Sequence, residues 1–170
     1  PPCPQSMSKL KLAAKNFKWT PNLAYIVGLL TTDGCLSNDG RHIIMRSSDI
    51  QLLETFKKCL KINNKIGTSQ NGNIRSYRVQ FGNVQFYHWL SSIGLYPAKT
   101  YTLGKIRTPK KYFRDFLRGH LDGDGSIIIY QDNYNSYKGK EYLNTRIYIK
   151  FISASEKHIR WLHKMIRANC

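Results

Sequence analysis

Acidic side chains are scarce in this sequence: 10 Asp and Glu stand against 27 Lys and Arg, a formal charge of +17 over 170 residues. Such a chain repels itself when compact, and the excess persists most readily where a polyanion supplies the counter-charge, so nucleic acid is the leading partner. Cysteines are few and scattered. Cys3, Cys35, Cys59 and Cys170 form no C-x-x-C pair, which excludes a zinc ribbon or disulfide framework and fits a reducing compartment. Long apolar runs are also lacking, with nothing near the roughly 20 residues of a membrane span, and the opening stretch carries Pro and Lys where a secretory signal is apolar. The expectation is a soluble protein of the cytoplasm or an organelle matrix, not a secreted one. His42, His88, His120, His158 and His163 form no ligand motif, which argues against a zinc-stabilised or His-metal nuclease.

What the chain does contain is enough apolar material for a packed core, 41% hydrophobic residues including 11 Tyr, 7 Phe and 3 Trp. Its basic residues are interleaved with aromatics and do not gather on one polybasic amphipathic helix, which favours nucleic acid over a membrane surface.

An internal repeat organises the rest. IVGLLTTDG (26–34) aligns with LRGHLDGDG (117–125), setting Gly28 on Gly119, Asp33 on Asp124 and Gly34 on Gly125, 91 positions apart. Downstream, Ser48 matches Ser155 at a separation of 107, which leaves 16 extra residues in the second copy, placed between Gln131 and Tyr142. Each copy reads as helix, strands, helix. In the first, Thr20 caps a helix with Pro21 at its first position, an apolar stretch follows over 23–30, and Asp33-Gly34 ends it. A strand is predicted over 41–46, a helix from Ser48-Asp49 to about Leu60, a strand over 76–81 after an Asn71-Gly72 turn, and a helix over 84–93. In the second copy, 112–122 is helical, 126–130 and 145–152 are strands, and 156–167 is helical. The division is a basic extension over 1–20, a first lobe over 21–96, a linker over 97–111 holding Pro97 and Pro109, and a second lobe over 112–170. The fold class is α+β, with helices on one face of antiparallel sheets.

The residues suggest a chemistry of their own. Helices carrying Gly28 and Gly119 can cross with backbones in contact, because a side chain at either point would hold them apart. Asp33 and Asp124 then stand side by side at the foot of the pair, where two carboxylates repel unless cations lie between them. The DGDGS string at Asp122 is not a calcium loop, since Asn133 stands where that loop needs a bidentate Glu. His120 is expected at the helix interface or lining the site.

The two nonapeptides resemble the LAGLIDADG signature, and their repetition resembles the single-chain, two-lobed homing endonucleases. The second keeps Gly, Asp, Gly, Asp and Gly in order; the first has Thr31 where the family often has an acid. The resemblance covers roughly 22–170. It implies two αββαββα lobes, paired helices at their interface, and sheets forming a DNA-binding saddle. The implied activity is metal-dependent cleavage of both strands of a long DNA site. Asp33 and Asp124 would be catalytic and hold the metal, with the carbonyls of Thr32 and Gly123 as further ligands. The implied cofactor is Mg2+, with Mn2+ able to substitute and Ca2+ binding without efficient cleavage. The family's basic active-site residue finds only Asn83 at the matching place. An intron RNA maturase, needing the basic surface but not the acidic pair, or a non-cleaving DNA-binding protein of the same fold, needing neither metal nor cleavage, is the alternative.

Alternation along the strands divides their faces. Ile147, Ile149 and Phe151 suit the helix-covered side, sending Arg146, Tyr148 and Lys150 outward; Tyr77, Val79 and Phe81 point inward, leaving Ser76, Arg78 and Gln80 outward. Arg and Gln suit guanine and adenine edges in the major groove. Arg41, Arg46, Arg75, Lys138 and Lys140 are secondary candidates for phosphates. At the separation of 107, Cys170 falls on position 63, so the second copy has no counterpart to 64–95. The expectation is that another chain or fragment completes the second lobe.

Overall fold

The computed structural model describes residues 17–71, 74–137 and 140–169. Thr20 takes extended backbone and its hydroxyl accepts from the Leu23 amide, with Pro21 supplying a helix-ready φ behind it; helix α1 (Pro21–Thr32) follows. Every residue of α1 from Ala24 to Thr31 is buried, which is why its sequence is apolar all round and not on one stripe. Asp33 caps it, and the chain turns into β1 (Gly34–Leu36) and β2 (His42–Ser47). Asp49 caps α2 (Ile50–Leu60) by accepting from the Gln51 amide. Strands β3 (Ile66–Asn71) and β4 (Ile74–Gly82) lead to α3 (Val84–Ile93), capped by Asn83 and closed by Gly94 in the left-handed region at φ 116°. A 3-10 turn (Lys110–Tyr112) opens α4 (Phe113–Asp124), which runs into β5 (Gly125–Tyr137), β6 (Lys140–Phe151) and α5 (Glu156–Asn169).

Two antiparallel sheets result, one of order β1-β2-β4-β3 and one of β5-β6. In the larger, Ile43 faces Phe81 and Met45 faces Val79 across β2 and β4, and all four are buried beneath Leu53 and Phe56 of α2 and Phe86 and Leu90 of α3. Aromatic rings tie this layer together: Phe81 stacks on Phe86 and Phe86 on Trp89, with ring centroids 6.2 and 5.7 Å apart. The α+β class with antiparallel sheets is as expected. No helix among the described residues is long and apolar enough to cross a membrane.

Two expectations about packing need correction. Ile147 and Ile149 do lie on the helix side of β6 with Phe151, but they are 64% and 56% exposed, and only Phe151 reaches the core, through His120. Among the described residues, α4 and α5 flank the hairpin and leave that face open. The extra residues of the second copy lengthen β5 and β6 beyond the predicted 126–130 and 145–152.

Candidate nucleic-acid interface and acidic pair

Helices α1 and α4 cross at Gly28 and Gly119. A Cβ on Gly28 would overlap the Phe116 carbonyl oxygen and lie 2.7 Å from the His120 amide nitrogen; one on Gly119 would overlap the Tyr25 carbonyl and lie 3.1 Å from the Leu29 nitrogen. Each glycine is thus the notch into which the other helix's backbone fits. Beside the crossing, the Tyr25 hydroxyl donates to Asp122 Oδ2 at 2.9 Å, and the Arg118 guanidinium lies over the Tyr25 ring, 4.6 Å from its centroid.

Both helices end together. A Cβ on Gly123 would overlap the Thr32 hydroxyl and stand 3.0 Å from Asp33 Oδ2, so Thr32, Gly123 and Asp33 meet at the foot of the pair. Burial and the charge of Asp124 push the Asp33 carboxyl up to about 6. Lys99, from the segment between the two halves, is buried there and donates to the Gly34 carbonyl at 2.6 Å; burial lowers its pKa, while the charges of Cys35, Asp33 and Asp124 act the other way. Lys99 is the cation that sequence reasoning missed, because nothing local separates it from the other lysines of a basic linker. Asn83, the position matched to a basic residue, instead caps α3 through its side-chain oxygen at 2.9 Å from the Phe86 amide.

Behind Lys99 lies a second buried polar cluster. His158 Nδ1 is 2.8 Å from the Gly104 carbonyl, and its Nε2 is 3.2 Å from His120 Nε2. A carbonyl only accepts, so Nδ1 of His158 carries the proton. Its Nε2 therefore accepts from Nε2–H of His120, leaving His120 Nδ1 buried and unpaired. Ring centroids 5.3 Å apart with planes 10° from parallel leave the two Nε2 atoms aimed at each other along a hydrogen-bond line, not converging on a shared third atom. Burial, then the neighbouring ring, push His120 down to about 4, and burial lowers His158. The His120 ring thus packs toward β6 and α5 and lines the cavity it shares with Thr32, Lys99 and Asp124, the second of its two expected placements.

The outer faces of the sheets carry most of the sequence-predicted contact residues. Arg46 of β2 sits directly opposite Arg78 of β4, and Ser76 opposite Ser69 of β3; these four line one pocket of about 110 Å³. Gln80 shares that face. The Arg46 amide donates to the Asp33 carbonyl at 3.4 Å, which fixes this face next to the acidic pair. On the smaller sheet, Lys150 faces Ser126, Tyr148 faces Ile128 and Arg146 faces Tyr130, all turned away from the side where Phe151 meets His120. Arg75 has the parity of Tyr77 and Val79 and so belongs to the opposite side, at the far end of β4. Arg41 precedes β2 at the end distant from Asp33, lying over Gly82. Lys140 begins β6, and Lys138 lies outside the described residues. Among the described residues no group of three or more His, Cys, Asp or Glu could hold a metal.

No protein-family model matches the chain. Over 138 residues it is 27% identical to an uncharacterized protein of Methanocaldococcus jannaschii, covering 76% of this chain and 51% of that protein. The chain thus spans about half the length of the curated relative it matches. Among solved structures it is similar to full-length DUF199/WhiA from Thermatoga maritima, with a TM-score of 0.41 and 14% identity over 69% of this chain and 38% of that one. These findings correct the assignment drawn from the two nonapeptides. The similar proteins are an uncharacterized archaeal protein and a DUF199/WhiA protein, neither described as a LAGLIDADG homing endonuclease, and that family and the homing-endonuclease function do not stand. The glycines of the short signature answer to packing: Gly28 and Gly119 let the helices cross, and a Cβ on Gly34 or Gly125 would overlap the backbone of Leu30 or Leu121, whatever chemistry lies beside them.

Proposed function

We propose that the chain is a double-stranded-DNA-binding protein that contacts its site through the outer faces of two antiparallel sheets. The observation that carries this reading is the pairing of Arg46 with Arg78 across β2 and β4, lined by two serine hydroxyls, in a chain of net charge +17. Like charges directly opposite on a sheet are destabilising alone and favourable against a polyanion or a guanine edge. The equal element order of α1-β1-β2-α2 and α4-β5-β6-α5, with reciprocal glycine notches, supports two lobes related by a pseudo-twofold axis through the crossing. Such an arrangement would set the two outer faces on one side. Exposed isoleucines on the other side of β5 and β6 support a further polypeptide as cover.

The test is anisotropy of labelled duplexes selected from a random pool, titrated at several salt concentrations. Arg78→Ala is expected to cost about 1–3 kcal/mol, unequally among sites that differ at one base pair, whereas Arg46→Ala weakens all sites alike and lowers the salt slope by about one. Wild-type protein that binds a selected duplex no better than an unrelated one, or an Arg78→Ala protein that binds as wild type does, would count against the reading.

We also propose that Asp33 and Asp124 share a hard divalent cation such as Mg2+ or Mn2+. The donor set fits: carboxylate and backbone oxygens with no thiolate or imidazole suit these ions and not zinc. The proton affinity of Asp33 sets the expected result. Its folded pKa of about 6 exceeds the ordinary 3.8, so the folded state holds the proton more tightly and stability falls as pH rises between those values. Asp33→Asn in metal-free buffer at neutral pH is therefore expected to be more stable than wild type by about 2 kcal/mol, after allowance for solvent screening of a half-buried carboxylate. Mg2+ should raise the thermal midpoint of wild type and leave that of the variant unchanged. Equal responses of both proteins would remove Asp33 from the cation site.

A further inference from the structure

A band of exposed charge lies on the helices, away from the sheet faces. Lys110, Lys111, Arg114 and Arg118 follow one another along α4 and the turn before it, with positions 110, 114 and 118 spaced as one helix face, and Lys58 joins them from the last turn of α2. Burial raises the pKa of the Cys59 thiol while the charges of Arg118 and then Lys58 act against it, so cations of two helices approach the same sulfur. Among the described residues none of the five has a carboxylate partner in an ion pair. The fold does not call for them. The positive end of a helix favours acids, yet α4 starts without a side-chain cap, and Asp115 stands there against Lys110, Lys111 and Arg114. Leu53 and Phe56 of α2 cover the inner face of the larger sheet, so the exposed side of α2 is turned away from Arg46 and Arg78 by the thickness of a helix, about 10 Å. A straight duplex seated on the outer sheet faces does not reach the band.

We propose that the band holds the phosphate backbone of a second duplex, whatever its sequence, so that one chain bridges two segments of DNA. The proposal rests on the reading that the sheet faces hold the first segment. What the band offers is cations alone. Single-stranded nucleic acid is held by open aromatic faces on which bases stack, and here the Tyr112 ring lies under Lys111 Nζ, 5.5 Å from its centroid, and the Tyr25 ring under Arg118, while Phe113 and Phe116 are fully buried. An anionic membrane takes up apolar side chains beside the basic ones, and among the described residues no exposed large apolar side chain comes from α4 or from the last turn of α2. A row of cations with neither feature matches the evenly spaced phosphates of a duplex.

Energy transfer at physiological ionic strength, from a donor on the selected duplex to an acceptor on an unrelated one, tests this. Wild type is expected to bring the two together. Lys110→Ala, Lys111→Ala and Arg114→Ala combined should weaken capture of the unrelated duplex by more than about tenfold, with anisotropy of the selected duplex and the far-ultraviolet spectrum unchanged. Lys58→Glu lowers capture too, so a defect confined to the start of α4 does not decide the matter. Absence of transfer in wild type that holds the selected duplex overturns the proposal, as does transfer that survives either variant. Loss of the selected duplex along with the unrelated one also overturns it, since a single bent duplex would then touch both surfaces. Displacement of the unrelated duplex by single-stranded RNA or by anionic lipid vesicles more readily than by duplex itself would assign the band to that partner instead. The sheet reading is judged separately, by wild-type anisotropy on the selected duplex. Should that reading fail, a protein carrying Arg46→Ala and Arg78→Ala still decides for the band: its hold on the unrelated duplex should persist and be lost on adding the triple substitution, and an equal hold with and without that substitution overturns the proposal.

Discussion

Gly119→Ala is expected to destabilise the fold by at least about 3 kcal/mol, a large part of the 5–15 kcal/mol that holds a typical domain together. The added methyl would overlap the Tyr25 carbonyl and press toward the Leu29 nitrogen, both in the backbone of α1. Backbone atoms inside a hydrogen-bonded helix cannot rotate aside as a side-chain tip can, so the helices must separate and loosen the apolar contacts of Ala24 to Thr31. Gly28→Ala meets the reciprocal obstacle at Phe116 and His120. Gly104→Ala is the control, because a methyl there would meet no heavy atom within 4 Å. Urea denaturation of the three variants is the measurement. A loss below about 1 kcal/mol for Gly119→Ala would mean that the helices do not cross this closely.

The second large effect is a stability that depends on pH through the His120–His158 pair. An unfolded imidazole titrates near the ordinary 6.5, while folded His120 takes its proton only near 4. Between these values the unfolded chain binds more protons, so the contribution is whole above pH 6.5 and is lost as pH falls toward 4, by about 3 kcal/mol for His120 alone. The lowered pKa of His158 acts in the same direction. Asp33 opposes both over nearly the same interval, because its raised pKa makes the folded state the better proton binder from 3.8 to about 6. The wild-type profile should accordingly be shallow, and Asp33→Asn should steepen it by removing the opposing slope. Urea midpoints measured from pH 4 to 7 in both proteins check this. A flat profile in Asp33→Asn would show that the two histidines are not buried as a neutral pair.

Much of the local structure is legible in the residues. Thr20-Pro21 and Asp49 each announce a helix start, because a side-chain oxygen one position before a helix satisfies an amide that nothing else can reach. The helix of 84–93 falls where its sequence places it, and alternation sets Val79 and Phe81 inward and Arg78 and Gln80 outward. Strands β1 and β3 are not legible in this way: Gly-Cys-Leu is too short to show a period, and Ile66–Asn71 carries small polar residues that owe their conformation to β4. The site is legible to the extent that it repeats. Asp33 and Asp124 are found by alignment and do meet electrostatically, whereas Lys99 and the His120–His158 contact join residues that share no motif and come together only through tertiary packing. The family assignment overreached because a nine-residue pattern reports helix packing more directly than it reports chemistry.

The glycine crossing also carries a message about the order of events in folding. Helices α1, α2 and α3 and the four-stranded sheet are contiguous in sequence, so their contacts close short loops. Gly28 and Gly119 must find each other across 91 positions, and that loop is closed only after the entropy of a long chain has been given up. The sheet of the first half can pack with α2 and α3 alone, whereas much of what buries α1 comes from α4. The crossing is therefore expected to form late and to act as a latch, so that Gly119→Ala speeds unfolding more than it slows folding in stopped-flow urea jumps.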